Sequence, residues 1–111
     1  MNREFPVGST LEYNRQAYTI AEVVKAYDCS DGDPYLVEQW LRLEKDGFME
    51  MWVVYLDRAR AWNSHYWTLF DVCLHAVNWD LGHLVFNNNG EDVTCQEYVE
   101  EIRNKMFGKA Q

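Results

Sequence analysis

Cys73 and His75 stand two residues apart in the run HYWTLFDVCLH, residues 65–75. Read with period two, His65, Trp67, Leu69, Asp71, Cys73 and His75 share one face of a strand. Tyr66, Thr68, Phe70, Val72 and Leu74 share the other, which is expected to pack on the core. Two ligands about 7 Å apart along a strand can serve one zinc ion, because thiolate and neutral imidazole both suit that metal. His65 and His83 supply a third and fourth ligand if their strands are neighbours. The competing reading is a buried thiol, behaving as a small hydrophobe, beside a hydrogen-bonded histidine. It gains weight because the chain holds no second tight ligand pair. The same residues suggest a nucleophile: Cys73 with Asp71 and either His75 or His83. That chemistry needs a thiolate and a base within about 3 Å and a third group orienting the base. Neighbours on one strand face point side by side and do not converge, so this route depends on a long-range pairing of Cys73 with His83. The chain has no G-x-S-x-G elbow, phosphate-cradling loop or dinucleotide fingerprint. The sequence therefore argues more for a non-catalytic protein than for an enzyme, and calls for no cofactor.

Carboxylates form the second group. Asp28, Asp31 and Asp33 lie in the loop DCSDGDP, residues 28–34. A calcium loop of the EF-hand type needs a different spacing; here Ser30 takes the third place and glycine the fifth. A solvated acidic loop is the expectation. Glu38 and Glu50 can face one another across a hairpin, depending on register, with cross-strand charge patterning as the simpler reading. Trp40 shares a strand face with Glu38, Arg42 and Glu44. A tryptophan among charges suggests an exposed interface anchor, since Trp, Tyr and Arg dominate binding hot spots. Trp62, Trp67 and Trp79 add to this set, with core packing beneath a helix as the alternative.

The elements that must position these groups come from 111 residues, which is one domain. Such a chain buries a core without disulfides or metal, and five Trp and seven Tyr mark it as folded. The net charge of −8 and pI near 4.7 argue against direct nucleic-acid binding and against anionic membranes. They suit a partner with a basic surface, or serve solubility alone. No apolar window spans a bilayer, and the first ten residues lack a signal-peptide core. Three widely spaced cysteines, Cys29, Cys73 and Cys95, fit free thiols in a reducing cytoplasm.

Residues 10–28 read as a hairpin with a polar turn at Asn14–Gln16, although a helix competes over residues 20–27. Tyr18, Ile20 and Val24 are expected on one face; Thr19, Val23 and Tyr27 on the other. Residues 35–56 read as a second hairpin turning at Lys45, Asp46 and Gly47. Its first strand alternates Val37, Leu41 and Leu43 against Glu38, Trp40, Arg42 and Glu44. Its second is apolar on both faces, Phe48, Trp52, Val54 and Leu56 against Met49, Met51, Val53 and Tyr55. A strand greasy on both sides belongs inside a covered sheet or a small barrel. Asn87–Gly90 is a turn. About residues 95–107 form an amphipathic helix, with Thr94 as N-cap, Glu97 completing a capping box and Gly108 as C-cap. Tyr98, Val99, Ile102 and Met106 make its apolar stripe. The class is α+β, mostly β: a small antiparallel bent sheet or barrel of five to six strands with a C-terminal helix.

Residues 7–56 resemble a short bacterial small-barrel domain family of unknown function. The matching positions are Gly8, Tyr18 and Ile20, then Glu38, Trp40 and Leu43, then Gly47 and Trp52. Leu36 stands where that pattern has a tryptophan. The resemblance implies a small barrel and no activity.

Three functions follow as expectations. The first is an acidic protein-binding module, an inhibitor of the phage counter-defence or immunity type, occupying a partner's basic nucleic-acid-binding surface. Its binding residues are Trp40, Glu38, Arg42, Glu44, Asp28, Asp31, Asp33 and Trp62. The second is a small-ligand or zinc domain, or an enzyme, using Cys73 and His75 with His65 or His83. The third is a structural subunit that forms a homodimer or higher homo-oligomer.

Overall fold

The computed structural model describes residues 2–47 and 49–108. Phe48, expected on an apolar face, lies outside the described residues. Seven strands form one antiparallel, open sheet: β1 (Thr10–Tyr13), β2 (Gln16–Asp28), β3 (Tyr35–Lys45), β4 (Met49–Leu56), β5 (Ala61–Tyr66), β6 (Val85–Asn88) and β7 (Glu91–Thr94). Two helices, α1 (Leu69–Asn78) and α2 (Cys95–Phe107), complete the α+β, mostly β fold. The sheet runs β5-β4-β3-β2-β6-β7, and β1 pairs with the first four residues of β2.

Turn chemistry accounts for each tight hairpin. Asn14 and Arg15 both take positive φ, so β1 and β2 join through a two-residue turn. Asn89 and Gly90 do the same between β6 and β7, whereas Asp46 and Gly47 take positive φ within a connection one residue longer, where Lys45 faces Met49. Helix α2 carries its expected capping box: Thr94 accepts from the Glu97 amide, and Glu97 accepts from the Thr94 amide. Its next free N–H groups are also satisfied, since the Cys95 and Gln96 amides donate to the Leu84 and Gly82 carbonyls. The stripe buries Val99 and leaves Met106 exposed at the far end.

Two cores lie on opposite faces of the sheet. Both helices cover one face, over Val24, Ala26, Trp40, Trp52 and Val54. The other face carries Tyr18, Ile20, Leu41, Leu43, Met51, Val53 and Tyr55, with Phe5 tucked onto it from the N-terminal segment. That face is sealed by curling of the sheet. Tyr13 of β1 reaches β5, with its ring 5.7 Å from Trp62 and its hydroxyl 3.5 Å from His65 Nδ1. The strand arrangement is thus a bent sheet whose ends meet through side chains.

Three expectations are corrected. Residues 65–75 are not one strand: β5 ends at Tyr66 and α1 starts at Leu69. Thr68 caps the helix by accepting from the Asp71 amide, and Asp71 sits favourably in the first turn. Val72, Cys73 and Ala76 then face the core at helical spacing. The helix ends in a Schellman motif, with Leu81 donating to the Ala76 carbonyl, Asp80 to Val77, and Asp80 at φ 63°. Second, the faces of β2 do not hold period two. Ala21 is skipped in the pairing between Ile20 and Glu22, a bulge that puts Tyr18 and Ile20 in one core and Val24 in the other. Third, the described residues form seven strands rather than five to six, because the chain pairs again after the Asn89–Gly90 turn, as β7 against β6, before α2 begins.

Candidate functional site

The face of β3 that bears Glu38, Trp40, Arg42 and Glu44 is divided by where the helices end. Trp40 is 0% exposed, and its indole Nε1–H donates to Glu38 Oε1 at 2.8 Å. A buried indole needs an acceptor, and the residue two along a strand stands beside it on the same face. Glu38 is itself only 5% exposed, and burial pushes its carboxyl above the usual carboxylate range despite the Trp40 hydrogen bond. Neither residue is the exposed anchor expected from the sequence. Further along, Arg42 is partly exposed and is held by three carboxylates, Glu44 at 2.7 Å, Glu50 at 2.8 Å and Glu22 at 3.1 Å. The register places Glu44, not Glu38, opposite Glu50; Glu38 faces Leu56. Arg42 therefore bridges a like-charge pair, and the cluster remains acidic.

Trp62 is also packed. Its ring lies 5.0 Å from Tyr55 and 5.7 Å from Phe5, sealing the end of the curled sheet. The exposed tryptophans are Trp67 at 61% and Trp79 at 69%, in the β5–α1 connection and at the C-cap of α1.

The residues considered for zinc or nucleophilic chemistry are dispersed. His65 contacts Tyr13 and Trp67, and His75 lies between Tyr66 and Trp79. His83 meets Asp28 at 3.2 Å. Cys73 is fully buried beside Cys95, and a hydrogen bond between the two thiols, followed by burial, pushes the Cys73 pKa far up. Such a thiol is no ready nucleophile or ligand. Among the described residues, no three His, Cys, Asp or Glu side chains are placed to hold a metal ion. The helix explains this: α1 turns Cys73 inward to α2, whereas a strand would have put it in a row with His65 and His75.

The acidic loop is ordered by Asp28. Its Oδ1 accepts from the Ser30 amide at 2.9 Å, while Oδ2 meets Tyr35 Oη and His83 Nε2. The Ser30 backbone hydrogen bond above all, with the Ser30 side chain and His83 assisting, holds the Asp28 carboxyl at about 2. Asp31 and Asp33 are exposed and do not join it.

Two surface features emerge that sequence reading missed. One is a groove between β7 and α2, about 640 Å³, lined by Glu91, Asp92, Glu97, Glu100 and Glu101 against one cation, Lys105. Glu97 is engaged in the helix cap and Lys105 stands 4.0 Å from Glu101. The other is a cleft of about 800 Å³ between β2 and β6, which shares Asp92 with the groove. Glu22, Val23, Val24 and Lys25 all line it. Consecutive strand residues point to opposite faces, so the backbone edge itself forms the wall. The acid spacing on α2 was visible in the sequence; its convergence with β7 was not.

Comparison with protein-family models, with curated proteins and with solved structures returned no match. No helix among the described residues is long and apolar enough to cross a membrane.

Proposed function

We propose that this protein is a non-catalytic, acidic protein-binding module that occupies a basic surface of a partner. The observation that carries the reading is the β7–α2 groove, where five carboxylates face one lysine and continue through Asp92 into the β2–β6 cleft. A field of one sign in a concave surface speeds encounter with a cationic partner and fixes its orientation. Trp67 and Trp79 add exposed aromatic area of the kind that anchors interfaces. An inhibitor of the phage counter-defence or immunity type, competing with nucleic acid for a basic protein, is the form of this function that the charge suits best.

The test is competition. Purified protein is titrated into complexes of labelled nucleic acid with a panel of basic nucleases and nucleic-acid-binding proteins. Displacement from at least one member is expected. It should weaken about tenfold or more from low to high salt, and be lost in the triple variant E91K/E100K/E101K. Those positions avoid Glu97, whose side chain is needed for the helix cap. Absence of displacement across the panel, or displacement unaffected by charge reversal, contradicts the proposal.

A further inference from the structure

The cleft exists because the sheet is unfinished. β2 pairs with β3 along most of its length, but its other edge is covered only in parts. β1 covers residues 16–19, and the Ile20 amide and carbonyl bond to Ser9 and Gly8. β6 then touches β2 at one position, Tyr27 opposite Val85. Between them, residues 21–26 have no strand partner on that side among the described residues. Beyond Val85, β6 pairs only with β7, so Phe86–Asn88 present a second open edge to the same cleft.

The N-terminal chain is why the gap stays open. Running back from β1, it would continue along β2 beside residues 21–26. It turns away instead, where Ser9 bonds to the Pro6 carbonyl and Gly8 takes φ 92°. Phe5 is then buried on the opposite core, and the Arg3 carbonyl accepts from Gln39. Proline lacks the N–H that a strand at this edge would use.

We propose that this slot takes an extended peptide strand bearing lysine or arginine, supplied by the protein partner. It would lie in line with β1, antiparallel to β2 and parallel to β6. Six residues of β2 edge accommodate about 20 Å of strand, and main-chain hydrogen bonds would supply much of the affinity. Charge sets the chemistry of the occupant. Glu22 marks the helix-covered face of the slot, since it pairs with Arg42 on the Trp40 face. Asp92 marks the other face, because its partner Asn87 alternates with the buried Phe86. A basic side chain on the helix-covered face of an inserted strand meets Glu22, which it shares with Arg42, and one on the other face meets Asp92, with Lys25 on that same face; the slot's lining thus holds two carboxylates against one lysine. Lys25 and the Ala21 bulge keep the open edge from pairing indiscriminately.

This inference rests on the binding-module reading, and its test separates the two. The probe is a capped synthetic peptide of about seven residues alternating lysine with threonine, long enough for the open edge. It is compared with the same peptide N-methylated at alternate amides, and with a glutamate–threonine version. The lysine peptide is expected to bind and to slow hydrogen exchange at alternate amides of residues 21–26. N-methylation should weaken binding about tenfold or more, D92K should weaken it severalfold, and the glutamate peptide should not bind. Equal binding of the methylated peptide, with changes confined to Glu91, Glu100 and Glu101, overturns strand insertion and leaves the acidic module standing. No binding of any peptide at millimolar concentration, together with no displacement in the competition assay, overturns both. Slot protection that appears on self-association without peptide overturns the heterologous occupant in favour of a second copy.

Discussion

β3 with β4, and β2 with β6, are both antiparallel neighbours in one sheet, yet they do opposite work. The first pair is matched at eight consecutive positions without a shift, from Glu38 opposite Leu56 to Lys45 opposite Met49. The second is matched at one. Along the first, side chains alternate between two cores, so each residue is fixed by packing on one face or the other. Along the second, backbone edges separate and leave space for something else. The difference teaches that stability is concentrated in the middle of this sheet, which allows a seam near its edge to stay incomplete.

The largest effect should come from the middle. Trp40→Ala removes a fully buried indole and leaves Glu38 without its donor; a loss of about 3–5 kcal/mol is expected in chemical denaturation. Glu38 comes next, through pH. Its folded-state pKa lies above the ordinary 4.5, so the folded protein retains a proton that the unfolded chain has released. Its contribution is therefore full below pH 4.5 and is lost as pH rises through the folded value. Glu38→Gln keeps an acceptor for Trp40 and should flatten that decline, measured as denaturation midpoint against pH. Arg42→Met exposes the Glu44–Glu50 repulsion; because these carboxylates are well exposed, the cost should be about 0.5–1 kcal/mol and shrink with salt. Val85→Ala, at the single β2–β6 match, should cost less than about 1 kcal/mol because the side chain is only half-buried. A Val85 variant as damaging as the Trp40 variant would erase the contrast between the two seams.

What the sequence disclosed follows the same division. Local signals were readable: Asp46–Gly47 and Asn89–Gly90 as turns, Thr94 with Glu97 as a helix start, and the two-faced apolar pattern of β4. Helix α1 was hidden because residues 65–75 alternate well enough to suit a strand. The decisive cue, Thr68 three residues before Asp71, is the same kind of cap signal as in α2. Trp40 is misleading in sequence because its neighbours on the strand face are charged, a pattern that suits a solvated surface. Glu38 is instead its buried hydrogen-bond acceptor, a fact set by where the helices lie. The bulge at Ala21 reverses the faces of β2 within one strand, and no residue type there announces it. The cleft and the acidic groove depend on which strands pair across long sequence separations, so composition revealed their charge and not their shape.

Hydrogen exchange of the unliganded protein, followed amide by amide, tests the central claim most directly. One edge of β2 is open between Ile20 and Tyr27. Paired amides of β3 and β4 should exchange only with global unfolding, whereas alternate amides of residues 21–26 should exchange at rates near those of exposed loops. Uniform protection along residues 21–26, equal to that of β3 and β4, would contradict the account.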